Sequence, residues 1–179
     1  MKKLFTLTFF IVVFNFSLFS QEIRELTEGV IYSELGKNIS FSSEKYTVPS
    51  NVKNRVEKAA AQKFHSDFLY IYKISSGNKI ISYGFLDNVP GKSLPITFLV
   101  LLTTEGKVIS SHIIKYREAY GGAVSEKGWN EKFKNRDVNS DFTVGKSIDG
   151  ISGATISVNS VTKGIKKILL LFNEINSSL

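Results

Sequence analysis

The sequence predicts an α+β fold: a single domain with a mostly antiparallel sheet, flanking helices and a C-terminal helix that follows a turn of small residues. Three observations carry this expectation. Val158, Val161, Ile165, Ile168, Phe172 and Ile175 recur at helical spacing, which marks a long amphipathic helix. Four apolar or alternating runs follow one another between residues 68 and 116, separated by turn residues, a pattern of antiparallel strands rather than of a doubly wound sheet. A length of 179 residues and an apolar fraction of 42% suffice for one ordinary core, and no repeat or low-complexity tract divides it.

The amino terminus reads as an export signal. Met1-Lys2-Lys3 is basic, and Leu4 to Phe19 is apolar apart from Thr6, Thr8, Asn15 and Ser17. At roughly 16 residues the run is short for a membrane-spanning helix. Cleavage is expected after Ser20, although Leu18 is larger than the small residue usual at that position, and an uncleaved anchor is the alternative. The expected organisation is therefore a signal peptide over 1–20, a weakly patterned extension over 21–48, able to hold a short helix or an edge strand, and the functional domain over 49–179.

Pro49-Ser50-Asn51 opens a helix in which Val52, Val56, Ala59, Ala60 and Phe64 share a face. Phe68 to Ile74 alternates as a strand and closes on Ser75-Ser76-Gly77-Asn78, a hairpin loop into Lys79 to Leu86. Ile96 to Thr103 is almost wholly apolar, so it is expected at the centre of the sheet with both faces covered. Thr104-Glu105-Gly106-Lys107 turns the chain into Val108 to Tyr116. A second helix is expected from Ser125 to Lys134, with Trp129 and Phe133 together on the sheet, then a polar connection over Asn135 to Gly145 in which Phe142 and Val144 form a short strand.

Composition excludes several chemistries. With no Cys in the chain, there is no lipidated cysteine, thiolate iron–sulfur site or Cys-attached haem, and an exported form must be stable on packing alone. The formal charge of +7 suits association with anions and acidic partners. Its basic residues are dispersed without aromatic interleaving, so no nucleic-acid partner is expected. His65 and His112 are the only histidines and neither has a ligand at metal spacing, so no metal is expected. No Gly-x-Ser-x-Gly elbow supports a serine hydrolase. Gly-Lys-Ser occurs at Gly91 and at Gly145, but the positions where a phosphate loop needs its first Gly hold Leu86 and Ser140. Lys163, Lys166 and Lys167 are expected on the solvated face of the last helix.

The most informative string is Asp149-Gly150-Ile151-Ser152-Gly153-Ala154-Thr155-Ile156-Ser157. It places hydroxyls on a small-residue turn just before a helix, where unpaired N–H groups and the positive end of the macrodipole favour an anion. Ser157 is read as the N-cap, and Thr155 as the residue at the mouth. The same residues also suit a plain strand-to-helix turn in which Ser and Gly merely cap and bend. A second glycine-bearing loop, Tyr116-Arg117-Glu118-Ala119-Tyr120-Gly121-Gly122, ends the fourth strand, and Val89-Pro90-Gly91-Lys92 precedes the third.

The nine-residue string resembles the flavinylation motif Asp-x-x-Ser/Thr-Gly-Ala-Thr-x-Ser/Thr of the FMN-binding domain family, which includes subunits of sodium-pumping quinone reductases and of related ferredoxin-linked complexes. The resemblance extends over Val89 to Leu171. It implies FMN held by a phosphoester on Thr155, installed from FAD by a flavin transferase, with Asp149, Ser152, Gly153, Ala154 and Ser157 as the rest of the motif and Asp149 helping that transferase recognise the turn. Tyr-Arg-Glu followed by glycines is similar to a stretch of flavinylated members, which implies cofactor contacts from Tyr116, Arg117, Glu118, Gly121 and Gly122. The Thr-Pro pair of the pump subunits is absent, so the chain looks closer to a small exported branch, as does the Val-Pro-Gly-Lys stretch that brings in Lys92. The function so implied is an extracytoplasmic electron carrier, its partners the flavin transferase and a membrane reductase or other redox protein. No residue is assigned a catalytic role, because the flavin supplies the redox chemistry. A non-redox extracytoplasmic binding domain and a reversible FMN binder are the alternatives.

Overall fold

A computed structural model describes residues 21–179; the signal-like segment 1–20 lies outside the described residues. A helix α1 over 21–35 leads into five strands, β1 (Ser40–Thr47), β2 (Phe68–Ser76), β3 (Lys79–Pro90), β4 (Pro95–Thr103) and β5 (Val108–Lys115), with helix α2 (Ser50–Ala60) between the first two. All neighbours pair antiparallel in the order β1-β2-β3-β4-β5. After β5 come a 3₁₀ turn (Gly122–Ser125), the short helix α3 (Lys127–Asn130), a second 3₁₀ turn (Glu131–Phe133) and the long helix α4 (Thr155–Ile175). The single-domain α+β architecture expected from the sequence is the one observed.

Alternation along the strands explains the layering. On β4, Ile96 to Leu102 are all buried, and they divide between two cores. Ile96, Phe98, Val100 and Leu102 meet α4 and α2, while Leu99 and Leu101 meet the other face with Tyr72, Ile74 and Ile31 of α1. The segment 21–48, expected only as a weakly patterned extension, supplies both a helix that covers this second face and an edge strand, β1. No helix among the described residues is long and apolar enough to cross a membrane.

α4 lies close on the sheet. A Cβ on Gly164 would stand 2.6 Å from Val89 Cγ1 and 3.0 Å from the Phe98 ring, so a residue without a side chain lets the helix backbone approach β3 and β4. At its far end, Phe172 packs against Tyr83, Phe85 and Gly106 of the β4–β5 turn. Arg55 of α2 reaches Glu174 of α4 at 2.7 Å.

Three local expectations are corrected. The segment Ser125–Lys134 is not one helix: it is broken into the short turns above, because Asn130 is buried and bonds back to Val124 and Glu126 carbonyls while Ser111 of β5 bonds Asn130. Phe142 and Val144 form no strand beyond a single bridge between Val144 and Ile148; the connection is held instead by Arg136, which donates to the carbonyls of Lys132, Asp141 and Ser147. Lys167 is not on the solvated face of α4 but fully buried, paired with Asp87 of β3.

Candidate functional site

Strand register brings the site loops to one end of the sheet. Pro90 pairs with Pro95 and Thr97 with Lys115, so the β3–β4 loop and the chain leaving β5 are neighbours. They are joined by Glu118, whose carboxylate accepts the N–H groups of Ser93 at 2.6 Å and Leu94 at 2.9 Å. Those backbone bonds, with a smaller contribution from the Lys92 charge, hold the Glu118 carboxyl below its ordinary pKa. Gly91 closes the loop by donating to the Leu94 carbonyl at 3.0 Å, and a Cβ there would lie 2.5 Å from Glu118 Oε1. Lys92 is exposed beside this junction.

Arg117 turns back toward the sheet. Its guanidinium donates to the Pro95 carbonyl at 2.8 Å and to Thr97 Oγ1 at 3.0 Å, and Thr97 in turn donates to Asn88 at 2.7 Å. Burial lowers its pKa. Arg117 thus braces the start of β4.

Tyr116 connects this loop to the nine-residue turn. Its hydroxyl donates to the Tyr120 carbonyl and stands 2.9 Å from Ser157 Oγ. Gly121, at φ +84°, fits under the same pair: a Cβ would be 2.7 Å from the Tyr116 hydroxyl and 3.2 Å from Ser157 Oγ. Gly122 starts the following 3₁₀ turn beside the Tyr116 ring.

The nine-residue turn itself ends in α4. Ala154 donates to the Ile151 carbonyl at 3.0 Å with Gly153 at φ +76°, and α4 then starts at Thr155 with Ala154 as the flanking cap residue. Ser157, expected as the N-cap, is instead the third residue of the helix; it is buried, and its hydroxyl goes to Tyr116 rather than to the helix N–H groups. No side chain caps α4 and its first turn contains no acidic residue, so the backbone donors and the positive dipole end face outward. Ser152, Gly153, Thr155 and Ile156 are exposed there, whereas Ala154 is buried. Asp149 is fixed upstream: its carbonyl accepts the buried Trp129 indole N–H at 2.9 Å, and its carboxylate meets Lys132 at 3.0 Å.

The structure therefore brings Tyr116, Gly121, Ala154 and Ser157 into one contact set and ties Lys92 and Glu118 to it through the loop. Chemically this is an electropositive, glycine-lined helix entrance that presents one exposed hydroxyl, on Thr155, a donor set suited to a phosphate ester. Residues 91–170 match the FMN-binding domain family. That match runs from Gly91 to Leu170, so it contains every residue of the site. The chain is also 32% identical over 103 residues to a subunit of the proton-translocating ferredoxin:NAD(+) oxidoreductase complex of Clostridium ljungdahlii, over 54% of this chain and 56% of that protein. It spans little more than half the length of that relative. The FMN-binding domain match and the exposed Thr155 hydroxyl agree on where a flavin phosphate fits.

Two features of this half of the molecule are not legible in the sequence. Glu118 and the Ser93–Leu94 amides are far apart in the chain, and no local pattern joins them. A polar cavity of about 330 Å³ lies between α1, β5 and α3, lined in part by Glu34, Ser110, His112 and Lys127, with His112 Nε2 3.3 Å from the Glu34 carboxylate. Among the described residues no group of three or more His, Cys, Asp or Glu could hold a metal.

Proposed function

We propose that this protein is an extracytoplasmic flavoprotein that carries FMN through a phosphoester on Thr155 Oγ1 and passes electrons between redox proteins. The observation that carries the reading is the Thr155 hydroxyl, exposed at the uncapped start of a 21-residue helix and inside the stretch that matches the FMN-binding domain family. A helix start of this kind favours a nearby anion by about 0.3–1 kcal/mol, and Gly153 and Gly121 leave room for close approach of a phosphate.

Attachment is a group transfer. The Thr155 oxygen attacks the FMN phosphorus of FAD, the pyrophosphate bond breaks, AMP leaves and the hydroxyl proton passes to solvent. The protein presents the nucleophile; a flavin transferase is the partner that catalyses the step and recognises Asp149. Once bound, the flavin supplies one- and two-electron chemistry, and the chain holds and orients it. The basic, apolar start at 1–20 supports export, and the relative's role as a complex subunit supports redox partners at a membrane. A covalent link suits a compartment in which lost FMN is not readily replaced.

The test is the intact mass of protein co-produced with a flavin transferase in an exporting host. A gain of one FMN less one water is expected for the wild type, with none for Thr155→Val. A wild-type mass without the gain, or yellow colour that denaturation releases, overturns the covalent reading.

A further inference from the structure

Ser157 stands two residues after Thr155 on α4, yet its side chain does not serve the helix. A phenol has one proton, and that of Tyr116 goes to the Tyr120 carbonyl, which can only accept. The Ser157 hydroxyl must then be the donor across the 2.9 Å contact. This creates a directed chain from Ser157 to Tyr116 to Tyr120, running from the first turn of α4 into the glycine loop. Gly121 is pressed against the same junction, and its missing Cβ would also fall 3.4 Å from Ala154 Cα. The backbone around Gly121 is thereby held beside the backbone that leads into Thr155.

We infer that Tyr116 and Ser157 form a clip that sets the gap between the glycine loop and the attachment turn, which makes both of them positioning residues for the reaction at Thr155. The inference rests on the reading of Thr155 as the attachment residue. Neither hydroxyl needs to touch the phosphate. Their partners are each other and the Tyr120 carbonyl, so what they contribute is the placement of two glycine-bearing backbones on either side of the site. The clip also separates the two hydroxyls of the motif: that of Ser157 is buried and committed as a donor, while that of Thr155 is exposed.

The experiment follows FMN incorporation by mass in the full chain supplied with flavin transferase and FAD, for wild type, Tyr116→Phe, Ser157→Ala, the double variant and Ser157→Thr. Loss of one net hydrogen bond of about 1 kcal/mol predicts roughly a fivefold fall in maximal incorporation rate for each single variant. Half-saturation for the protein substrate should stay unchanged, because the recognition groups at Asp149 are untouched. The double variant should be no slower than either single one, since both remove the same contact, and Ser157→Thr, which keeps the hydroxyl, should recover most of the rate. Amide exchange at Gly121 and Gly122 in flavin-free protein should accelerate in both single variants. Wild-type incorporation rates in Tyr116→Phe and Ser157→Ala, or losses that simply add in the double variant, overturn the clip while leaving the attachment reading intact. A wild type that never gains FMN overturns the attachment reading itself, and with it the positioning role.

Discussion

The ammonium of Lys167 lies 3.0 Å from the carboxylate of Asp87 with both side chains shut away from water, at 0% and 2% exposure. The same ammonium faces the Phe64 ring at 4.2 Å and the Lys63 carbonyl at 3.3 Å. A charge pair without solvent is costly to form and costlier to break, because removal of one partner strands the other. Lys167→Met should lower stability by about 3–5 kcal/mol, and replacing both residues, as in Asp87→Leu with Lys167→Met, should recover most of that loss. Urea denaturation of the single and double variants checks this. A double variant as unstable as the single one would mean that the pair contributes more than compensation of its own burial.

Gly164 should resist even one added methyl. Alanine is the better helix former by about 1 kcal/mol, but here its Cβ would press on Val89 and Phe98 at distances that require the helix to shift. Gly164→Ala is expected to destabilise by about 1–3 kcal/mol in thermal melts, against the propensity gain.

Glu118 gives the β3–β4 loop a dependence on pH. Its carboxyl is held below the ordinary value of 4.5 by the Leu94 and Ser93 amides, so the folded state favours the ionised form. The stabilisation is complete above that ordinary value and is lost as pH falls through the depressed folded one. In NMR titration the Glu118 carboxyl, Ser93 amide and Leu94 amide should move together with a midpoint below 4.5; a midpoint at or above that value would contradict the bonds.

His112 behaves in the corresponding way for a base. Burial lowers its pKa from 6.5, the Glu34 carboxylate opposing and the Lys127 charge adding to the effect. The folded state therefore prefers neutral imidazole, and stability is complete above about 6.5 and declines as pH falls below it. His112→Asn should flatten the stability profile just below pH 6.5, as measured by denaturation at a series of pH values.

The strands are readable because their burial follows short-range alternation. Phe68 to Ile74 and Ile96 to Thr103 declare their faces within a few residues, and the structure extends them by only one or two positions. α1 is hidden because its inward stripe is interrupted by Thr27, which is fully buried and satisfies its hydroxyl on the Ile23 carbonyl at 2.7 Å. Lys167 misleads for a different reason: its environment depends on Asp87, on a strand far away in sequence, and a lysine at that helical position looks solvated until its partner is known. The attachment turn is visible because small residues and a following helix are local signals. The role of Ser157 is not, since the residue that claims its hydroxyl, Tyr116, lies 41 positions earlier.

α4 runs the full length of the sheet, from the loops around Thr155 to the β4–β5 turn where Phe172 meets Gly106. At 1.5 Å per residue its two ends stand about 30 Å apart. The molecule therefore has a reactive pole and an inert one, and the inert pole carries the turns at Gly77 and Gly106. A fluorophore or spin label placed in the exposed Gly77–Asn78 turn would sit remote from the site, far enough to report distance and orientation while a second protein engages the opposite end.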